Sequence, residues 1–317
     1  MSFLYSKLLP RHRRAIDVIA TRRGHSQGPT KSKGGQRKGG NAIRWRSRQE
    51  KDPYVNRAKK MNVPSRAYFK LEELDRMQPS LRRKYARKKS RQLEPTSLRK
   101  RLIEPGALVL DLGAAPGGWS LYVSGQLSSK RGGGLVAVDL LSLDETLQSD
   151  KTDTFARIQS NLEHFEFIRG DFTEQETQLR ILDAFSSMSG SDTTPSLDAS
   201  NPTPKTRNPS LIMSDMAPNF TGNQQVDAIR TINLCEQALA FAVGPDCFDE
   251  SLERSGRAGG LLNPGGDFLC KFFKCGEQNE RELLEAAKRS FEHIDVVKPK
   301  ASRRESSEQY LLALNYR

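Results

Sequence analysis

The sequence predicts an α/β fold with a mostly parallel seven-stranded sheet, one antiparallel strand and helices on both faces. From residue 107 onward, short apolar runs alternate with stretches of helical periodicity, which is the pattern of consecutive βαβ units. The last two apolar runs are joined by a short loop without a helix, so these two strands are expected to pair antiparallel. A turn rich in Gly and Ala follows the first run, as is typical of the first βα unit in such sheets.

The individual elements follow from periodicity and end signals. The predicted strands are 107–111, 135–139, 165–169, 211–214, 267–272, 294–298 and 309–316. Further helices are expected after Gly118, Glu174, Asp227 and Glu277. An additional helix, 65–77, precedes the first strand, because Ser65 can cap it and apolar residues recur on one face.

The positive charge is concentrated at one end of the chain. The net charge is +13, and residues 1–50 hold 13 Lys or Arg against two acids, Asp17 and Glu50. Lys and Arg gain binding energy by displacing counterions from phosphates, so a polyanionic partner is expected. We predict that 1–50 is a basic, largely disordered segment with a mitochondrial presequence, the alternative being an RNA-binding arm. Residues 51–317 then form the catalytic domain.

Three segments depart from the regular alternation of strands and helices. Residues 186–209 are rich in Ser, Thr, Pro and Asn and are interpreted as a disordered surface insertion. Residues 245–260 are expected to form a loop that could lie near the active face. The densely basic run 82–101 is either a solvated connector or a surface that contacts phosphates.

Membrane and metal-binding classes are disfavoured. The sequence has no apolar run of about 18 residues, the length a membrane-spanning helix requires. The cysteines form no CxxC pair and have no His at ligand spacing, so no metal site is predicted. They are Cys235, Cys247, Cys270 and Cys275.

The segment ALVLDLGAAPGGWS combines a strand, a turn of small residues and the start of a helix. Gly117, Gly118 and their neighbours let a ligand approach the backbone where helix N–H groups are unpaired. The spacing is not GxGxxG and no P-loop lysine follows, so a triphosphate site is disfavoured. A dehydrogenase turn and a purely structural turn remain alternatives.

Carboxylates at the ends of the next two strands narrow the ligand class. Asp139 closes the second strand and Asp171, in FIRGDF, follows the third. Carboxyl ends of parallel strands face the ligand crevice. Asp139 can accept hydrogen bonds from ribose hydroxyls and Asp171 from an adenine amino group. Each residue alone is also compatible with a turn or cap role, but together they indicate an adenosine-containing ligand.

The same edge of the sheet is expected to hold a charged constellation. Asp215 closes the fourth strand, Lys271 falls at the end of the fifth, and Glu308 opens the last strand. If that last strand is reversed, its start lies at the edge where its parallel neighbours end. A lysine in an apolar strand needs a paired charge when buried. A purely structural ion pair between Asp215 and Lys271 is therefore the alternative interpretation.

Seven motifs follow one another between residues 51 and 317, and they are SRAYFKL, VLDLGAAPGGWS, VAVDLL, FIRGDF, IMSDMAPN, GGDFLCKFF and RRESSEQYLLA. In these motifs and in their order the chain resembles the FtsJ/RrmJ family of ribosomal RNA 2'-O-methyltransferases. The resemblance implies a Rossmann-like S-adenosylmethionine-dependent methyltransferase fold and a catalytic tetrad of Lys70, Asp215, Lys271 and Glu308. The implied cofactor-binding residues are Gly117, Gly118, Trp119, Asp139, Asp171 and Asp215.

The resemblance also implies a substrate and a place of action. The basic start of the chain, the KDPYV stretch and the KASRRESSEQY ending look most similar to mitochondrial family members that methylate a uridine ribose of large-subunit rRNA. A monomer that acts in the mitochondrial matrix on the large ribosomal subunit or its precursor is therefore expected. A cytosolic tRNA ribose methyltransferase and an rRNA-binding ribosome assembly factor, with methylation secondary or absent, are the alternatives.

The chemistry explains the residue types. A ribose hydroxyl is a poor nucleophile and the sulfonium of S-adenosylmethionine is an activated methyl donor, so the protein must align the two and remove one proton, without a metal. Lys271 can act as a neutral base, or as an ammonium that stabilises the developing alkoxide. Lys70 and Glu308 would position the ribose and phosphate. Trp119 has either a role in the methionine pocket or a packing role.

Overall fold

The computed structural model describes residues 52–88, 101–127, 131–143, 153–188, 208–248 and 259–317, without the side chains of 78–88. The basic segment 1–50 and most of the predicted insertion 186–209 lie outside the described residues. So does the greater part of the basic run 82–101, although its first residues continue a helix.

In the described part of the chain, seven strands form one sheet in the order β3-β2-β1-β4-β5-β7-β6. The strands are β1 Leu108–Leu112, β2 Gly134–Asp139, β3 His164–Arg169, β4 Leu211–Ser214, β5 Asp267–Phe273, β6 Phe291–Val297 and β7 Glu308–Tyr316. The first five strands pair parallel, whereas β7 is inserted between β5 and β6 and is antiparallel to both. The predicted fold class and the antiparallel final pair are confirmed.

Helices cover both faces of this sheet. They are α1 Pro53–Met61, α2 Ala67–Lys88, α3 Gly118–Gln126, α4 Thr154–Asn161, α5 Gln175–Ser187, α6 Gln224–Val243 and α7 Glu277–Ser290. Alternate side chains of each strand enter two separate cores: Leu108 and Leu110 of β1 pack with α5, α6 and α7, and Val109 packs with α2 and α3. Burying each large apolar side chain contributes about 1.5–3 kcal/mol, so the two-sided pattern fixes the register of every strand.

Strand periodicity also decides which polar side chains share a face. In β5, Leu269 belongs to the core beneath α2 and α3, so Lys271, two residues later, points to the same side. Lys271 is paired in register with Tyr310 of β7. Tyr310 and Glu308, again two residues apart, therefore lie on that face as well.

Helix α2 is anchored to its neighbours by one buried carboxylate. Asp75 is fully buried and accepts hydrogen bonds from the backbone N–H groups of Leu102 (3.0 Å) and Ile103 (3.1 Å) and from the hydroxyl of Tyr122 (2.9 Å) on α3. Burial and the Asp75 charge raise the pKa of Tyr122 well above its ordinary value, so its hydroxyl remains a donor. The three hydrogen bonds to Asp75 hold α2, and with it Lys70, against the sheet.

Several sequence predictions of local structure are corrected. The helix predicted at 65–77 is Ala67–Lys88, because it continues through Pro79 into a stretch of good helix formers that the prediction left out. Helix α5 ends at Ser187, so the insertion begins later than residue 186. Helices α1 and α4 were not predicted.

The segment expected near the active face lies elsewhere. Its described residues are 245–248 and 259–260. The 3₁₀ helix Pro245–Phe248 follows the end of α6, and α6 starts at the carboxyl edge of the sheet and runs back to the amino edge. Arg289, at the end of α7, donates to the carbonyl of Cys247 there at 3.1 Å. The prediction that 245–260 approaches the active face is wrong for these residues, since the connection from a helix to the next parallel strand lies at the amino edge, whereas the active face lies at the carboxyl edge.

Within the described ranges, no helix is long and apolar enough to cross a membrane. The same part of the chain has no cluster of three or more His, Cys, Asp or Glu side chains arranged to hold a metal ion.

Candidate active site

The crevice lies at the carboxyl edge of the parallel strands, where the turn after β1 meets the ends of β2 and β4. The backbone N–H groups of Gly113 and Ala114 donate to the carbonyl of Val138 at 2.9 and 3.1 Å, which folds the turn towards β2. Gly113 has a φ of +81°, and a Cβ there would lie 2.7–2.8 Å from Met216. Only glycine fits at this position, because the loop after β4 passes directly against the turn.

Gly117 forms the second special point of the turn. It precedes α3 with a φ of +91°, and a Cβ would lie 2.5 Å from a methyl group of Thr154. No side chain of Gly117 can cap α3, so the first N–H groups of the helix remain available to a ligand. The adjacent Gly118 is equally confined, since a Cβ would lie 2.5 Å from the hydroxyl of Ser65.

The two predicted adenosine-binding carboxylates are held at this edge by backbone donors. Asp139 accepts from the N–H groups of Ala115 (2.8 Å) and Leu141 (2.9 Å), one on each oxygen. Asp171 accepts from the backbone N–H and the hydroxyl of Thr173 at 2.9 and 2.8 Å, as in a turn that leads into a helix. Both stand at the crevice, and their contacts with adenosine remain a prediction.

A third carboxylate, Asp111, lies beneath the turn and was missed by the sequence analysis. It is fully buried in β1; Oδ2 accepts the Ser120 hydroxyl at 2.6 Å, and Oδ1 has no hydrogen-bond partner among the described residues. Burial, followed by the charges of Asp215 and Asp139, raises the pKa of Asp111 to about 7 despite the opposing hydrogen bond from Ser120. The signal was present: Asp111 is a charged residue in an apolar strand, as Lys271 is.

These features fit S-adenosylmethionine, a ligand with positive sulfonium and ammonium groups. Asp111, Asp139 and Asp215 lie close enough for the charges of the other two to raise the pKa of Asp111. Such an electronegative crevice, with one buried oxygen lacking a donor, favours a cationic ligand over a phosphate. The glycine turn supplies the close backbone approach.

Beside this crevice, Lys271 is held by one residue at two points. Its Nζ lies 2.9 Å from Oδ1 of Asp215 and 2.5 Å from the backbone carbonyl oxygen of the same residue. The side chains are 9% and 17% exposed, so the charges are screened from most of the solvent but can still be reached. Asp215 thus holds the Lys271 amine in one orientation.

Lys70 and Glu308 form the second lysine–carboxylate pair of the rim. Lys70 Nζ lies 2.8 Å from Oε2 of Glu308, with side chains 11% and 10% exposed. Between the two pairs lies Tyr310, whose hydroxyl is 3.4 Å from Oδ1 of Asp215 and whose ring centroid is 5.9 Å from Lys70 Nζ. The structure thus places all four predicted tetrad residues around one buried tyrosine.

Tyr310 is a further polar residue that the sequence analysis did not identify. Burial, then the charges of Asp215 and Glu308, raise the pKa of Tyr310 well above its ordinary value. The hydroxyl therefore stays protonated and acts as a donor to Asp215. Apolar neighbours in YLLAL concealed its role, because tyrosine in a strand usually serves packing.

Trp119 packs between the turn and α2. The residue is 2% exposed, its Nε1 donates to the carbonyl of Ala67 at 3.0 Å, and its ring centroid lies 5.9 Å from that of Tyr310. These contacts fix the start of the helix that carries Lys70, which favours the packing alternative. Contact of Trp119 with the cofactor stays a prediction.

The fold and the site together define a Rossmann-like enzyme with a crevice for a cationic nucleoside and two lysine–carboxylate pairs beside it. A family model for FtsJ-like methyltransferases matches residues 63–316. The chain therefore belongs to the FtsJ-like methyltransferase family, which confirms the expected cofactor, S-adenosylmethionine.

Individual relatives are similar over most of their length. The ribosomal RNA large subunit methyltransferase E of Pseudomonas fluorescens is 34% identical, over 87% of this chain and 95% of that protein. The protein of the same name from Bradyrhizobium diazoefficiens is 33% identical, over 90% and 91%. Among solved structures, Aeropyrum pernix fibrillarin with bound S-adenosylmethionine gives a TM-score of 0.36 at 13% identity, covering 67% of this chain and 68% of that one.

Proposed function

We propose that this protein transfers a methyl group from S-adenosylmethionine to a ribose 2'-hydroxyl of large-subunit ribosomal RNA. The observation that carries the proposal is the double anchoring of Lys271 by Asp215 beside the cofactor crevice. The names of the relatives, ribosomal RNA large subunit methyltransferase E, support the choice of substrate.

The geometry of Lys271 explains how the hydroxyl can be activated. Two of the three tetrahedral positions around Nζ are directed to the carboxylate and the carbonyl of Asp215. The third position is left for the substrate hydroxyl. A neutral amine accepts the hydroxyl proton there, and an ammonium stabilises the developing alkoxide there.

The second pair holds the acceptor ribose. Because Lys70 is bound to Glu308 at 2.8 Å, it presents a fixed cation without leaving an unpaired buried charge. Glu308 keeps lone pairs that can accept from ribose hydroxyls, and Lys70 can contact a neighbouring phosphate. When bound, S-adenosylmethionine supplies a methyl group activated by its sulfonium, and the chain's own task is alignment and proton removal.

Substitution of Lys271 tests this assignment. Lys271→Ala is expected to reduce methyl transfer to ribosomal RNA by at least about 100-fold, the usual contribution of a positioned acid–base group. The affinity for S-adenosylmethionine, measured by calorimetry, should stay within about threefold, since both polar contacts of Lys271 are with Asp215 beside the crevice and Lys271 is assigned no contact with the cofactor. Lys288→Ala, which removes an exposed lysine paired with Glu285, is the matched control and should retain full activity.

The outcomes separate the possible roles of Lys271. Retained turnover in Lys271→Ala would contradict the assignment of Lys271 to the chemical step. In the wild-type enzyme, a kcat that rises about tenfold per pH unit and then reaches a plateau identifies the neutral amine of Lys271 as the base. A kcat that does not change with pH identifies the ammonium as the group that stabilises the alkoxide.

We further propose that the acceptor is a uridine, that the protein acts in the mitochondrial matrix and that it is a monomer. The basic composition of residues 1–50 supports import. Mapping of ribose methylation across organellar and cytosolic rRNA after gene deletion tests the site, and fractionation tests the compartment. Loss of a cytosolic tRNA methylation instead would overturn the proposal.

A further inference from the structure

An exposed phenylalanine stands at the catalytic rim without a role in the chemistry. Phe220 lies in the loop between β4 and α6, five residues after Asp215, and 63% of its surface is exposed. Its ring meets that of Phe273 edge to face, with 5.9 Å between the centroids and an interplanar angle of 72°. An edge-to-face contact covers at most one face of a ring, so an aromatic face remains open to solvent.

The loop that carries Phe220 is tied down by one buried carboxylate. Asp227, on the first turn of α6, accepts from the backbone N–H and the hydroxyl of Thr221, both at 2.8 Å, and from the N–H of Gly222 at 3.2 Å. Asn223 caps the same helix by accepting from the N–H of Gln225 at 3.1 Å. Three hydrogen bonds next to Phe220 therefore restrict the backbone that presents this ring.

The position of the pair relative to Lys271 indicates what it meets. Phe273 follows Lys271 by two residues in β5, so both side chains leave the strand on the same face, about 7 Å apart along it. Lys274, exposed and next in sequence, adds a cation at the same edge. A ribose whose 2'-hydroxyl reaches Lys271 carries its base on the adjacent ring carbon and its phosphates on the other side. The side of the ribose that faces the aromatic pair therefore brings there either its own base or, through the phosphate, the next nucleotide.

We propose that Phe220, supported by Phe273, is a stacking platform for a nucleobase of the RNA strand within one nucleotide of the methylated ribose. This inference rests on the proposed function. Aromatic rings interleaved with cations are the combination by which proteins hold single-stranded nucleic acid, because every base offers a π-face. The restricted loop reduces the entropy lost on binding.

A binding experiment with two RNA probes tests the platform. The probes are a fluorescein-labelled oligouridine of twelve nucleotides and a ribose-phosphate strand of the same length without bases, measured by anisotropy with the full-length protein. Phe220→Ala is expected to weaken oligouridine binding about 5- to 100-fold, with little effect on the abasic strand. Phe220→Trp should restore the affinity, whereas Phe220→Leu, which keeps apolar volume without a π-system, should not.

Controls separate this inference from the proposed function. Leu179→Ala removes an exposed apolar side chain of α5 and should leave both affinities unchanged. Equal losses on the two probes, or leucine binding as well as phenylalanine, overturn the platform whether or not the wild-type enzyme methylates rRNA. If the platform holds but wild-type protein fails to methylate rRNA, the proposed function fails alone. In turnover, Phe220→Ala should raise KM for RNA more than it lowers kcat.

Discussion

Replacing Asp111 by asparagine tests the electrostatics of the crevice through stability. The carboxyl is fully buried, and its pKa rises from an ordinary value of 3.8 to about 7, chiefly through burial. Each tenfold change in proton affinity is worth about 1.4 kcal/mol, so keeping Asp111 ionised in the folded protein costs about 4 kcal/mol. Between these two pH values the folded state holds a proton that the unfolded chain has released. Stability therefore falls as pH rises through this window and levels off above pH 7.

The Asp111→Asn variant keeps the shape of the side chain and removes the titration. Between pH 5 and pH 8, the free energy of unfolding of the wild type is expected to fall by about 2 to 3 kcal/mol relative to the variant. Any cost of the new amide is the same at both pH values and cancels in this comparison. Urea unfolding without cofactor, followed by fluorescence at four pH values, measures the difference.

A second variant sharpens the comparison. Ser120→Ala removes the hydroxyl that donates to Asp111 at 2.6 Å, an interaction that lowers the pKa of Asp111. In this variant the fall in stability should therefore continue to higher pH before it levels off, with the same one-proton slope. Parallel stability curves for the wild type and Asp111→Asn across this range would refute the reasoning, because they would show that Asp111 titrates alike in both states.

Three further predictions, two of them with a comparison variant, address the crevice and its support. Asp139→Ala should raise the dissociation constant for S-adenosylmethionine about 10- to 100-fold, the worth of a hydrogen bond to a charged group. An unchanged dissociation constant by calorimetry would contradict the assignment of Asp139 to cofactor binding. Gly117→Ala should lower the free energy of unfolding by about 1–3 kcal/mol because of its positive φ. Gly125→Ala, in open space on α3, should instead raise the free energy of unfolding by up to about 1 kcal/mol. Equal changes of stability in the two variants would argue against strain at Gly117. Asp75→Ala should lower the free energy of unfolding by about 3 kcal/mol or more, because it leaves buried donors unpaired. Tyr122→Phe should lower it by only about 1 kcal/mol. Similar losses in the two variants would contradict the role of Asp75 as the anchor of α2.

The regular elements were predictable because their signals are local. Apolar runs bounded by turns gave all seven strands to within a few residues. Asp215, Lys271 and Glu308 were expected at one edge because strand ends meet there, whereas Lys70, on a helix, was assigned only through the family resemblance. Strand order was not predictable, since the position of β7 between β5 and β6 depends on contacts distant in sequence. Helix α4 was missed because a helix of eight residues is too short for its apolar periodicity to be recognised.

The polar support of the site was harder to predict. Asp75 resembles an ordinary helix-surface acid in sequence, and it becomes an anchor through the approach of the Leu102–Ile103 backbone and of the Tyr122 hydroxyl. Asp111 could have been identified by the argument that was applied to Lys271, but its position inside the glycine-turn motif concealed it. Side-chain partners set by tertiary contacts leave no periodic trace in a sequence.

The placement of β7 has a consequence for the order of folding. This strand follows every other described element in the chain, yet it occupies an interior position in the sheet. The Lys70–Glu308 contact closes a separation of 238 residues, and contacts of such high sequence separation form slowly. A nascent chain can therefore collapse around β1 to β5 while its catalytic rim is still open. Recovery of methyl transfer during refolding should accordingly lag behind recovery of helical circular dichroism.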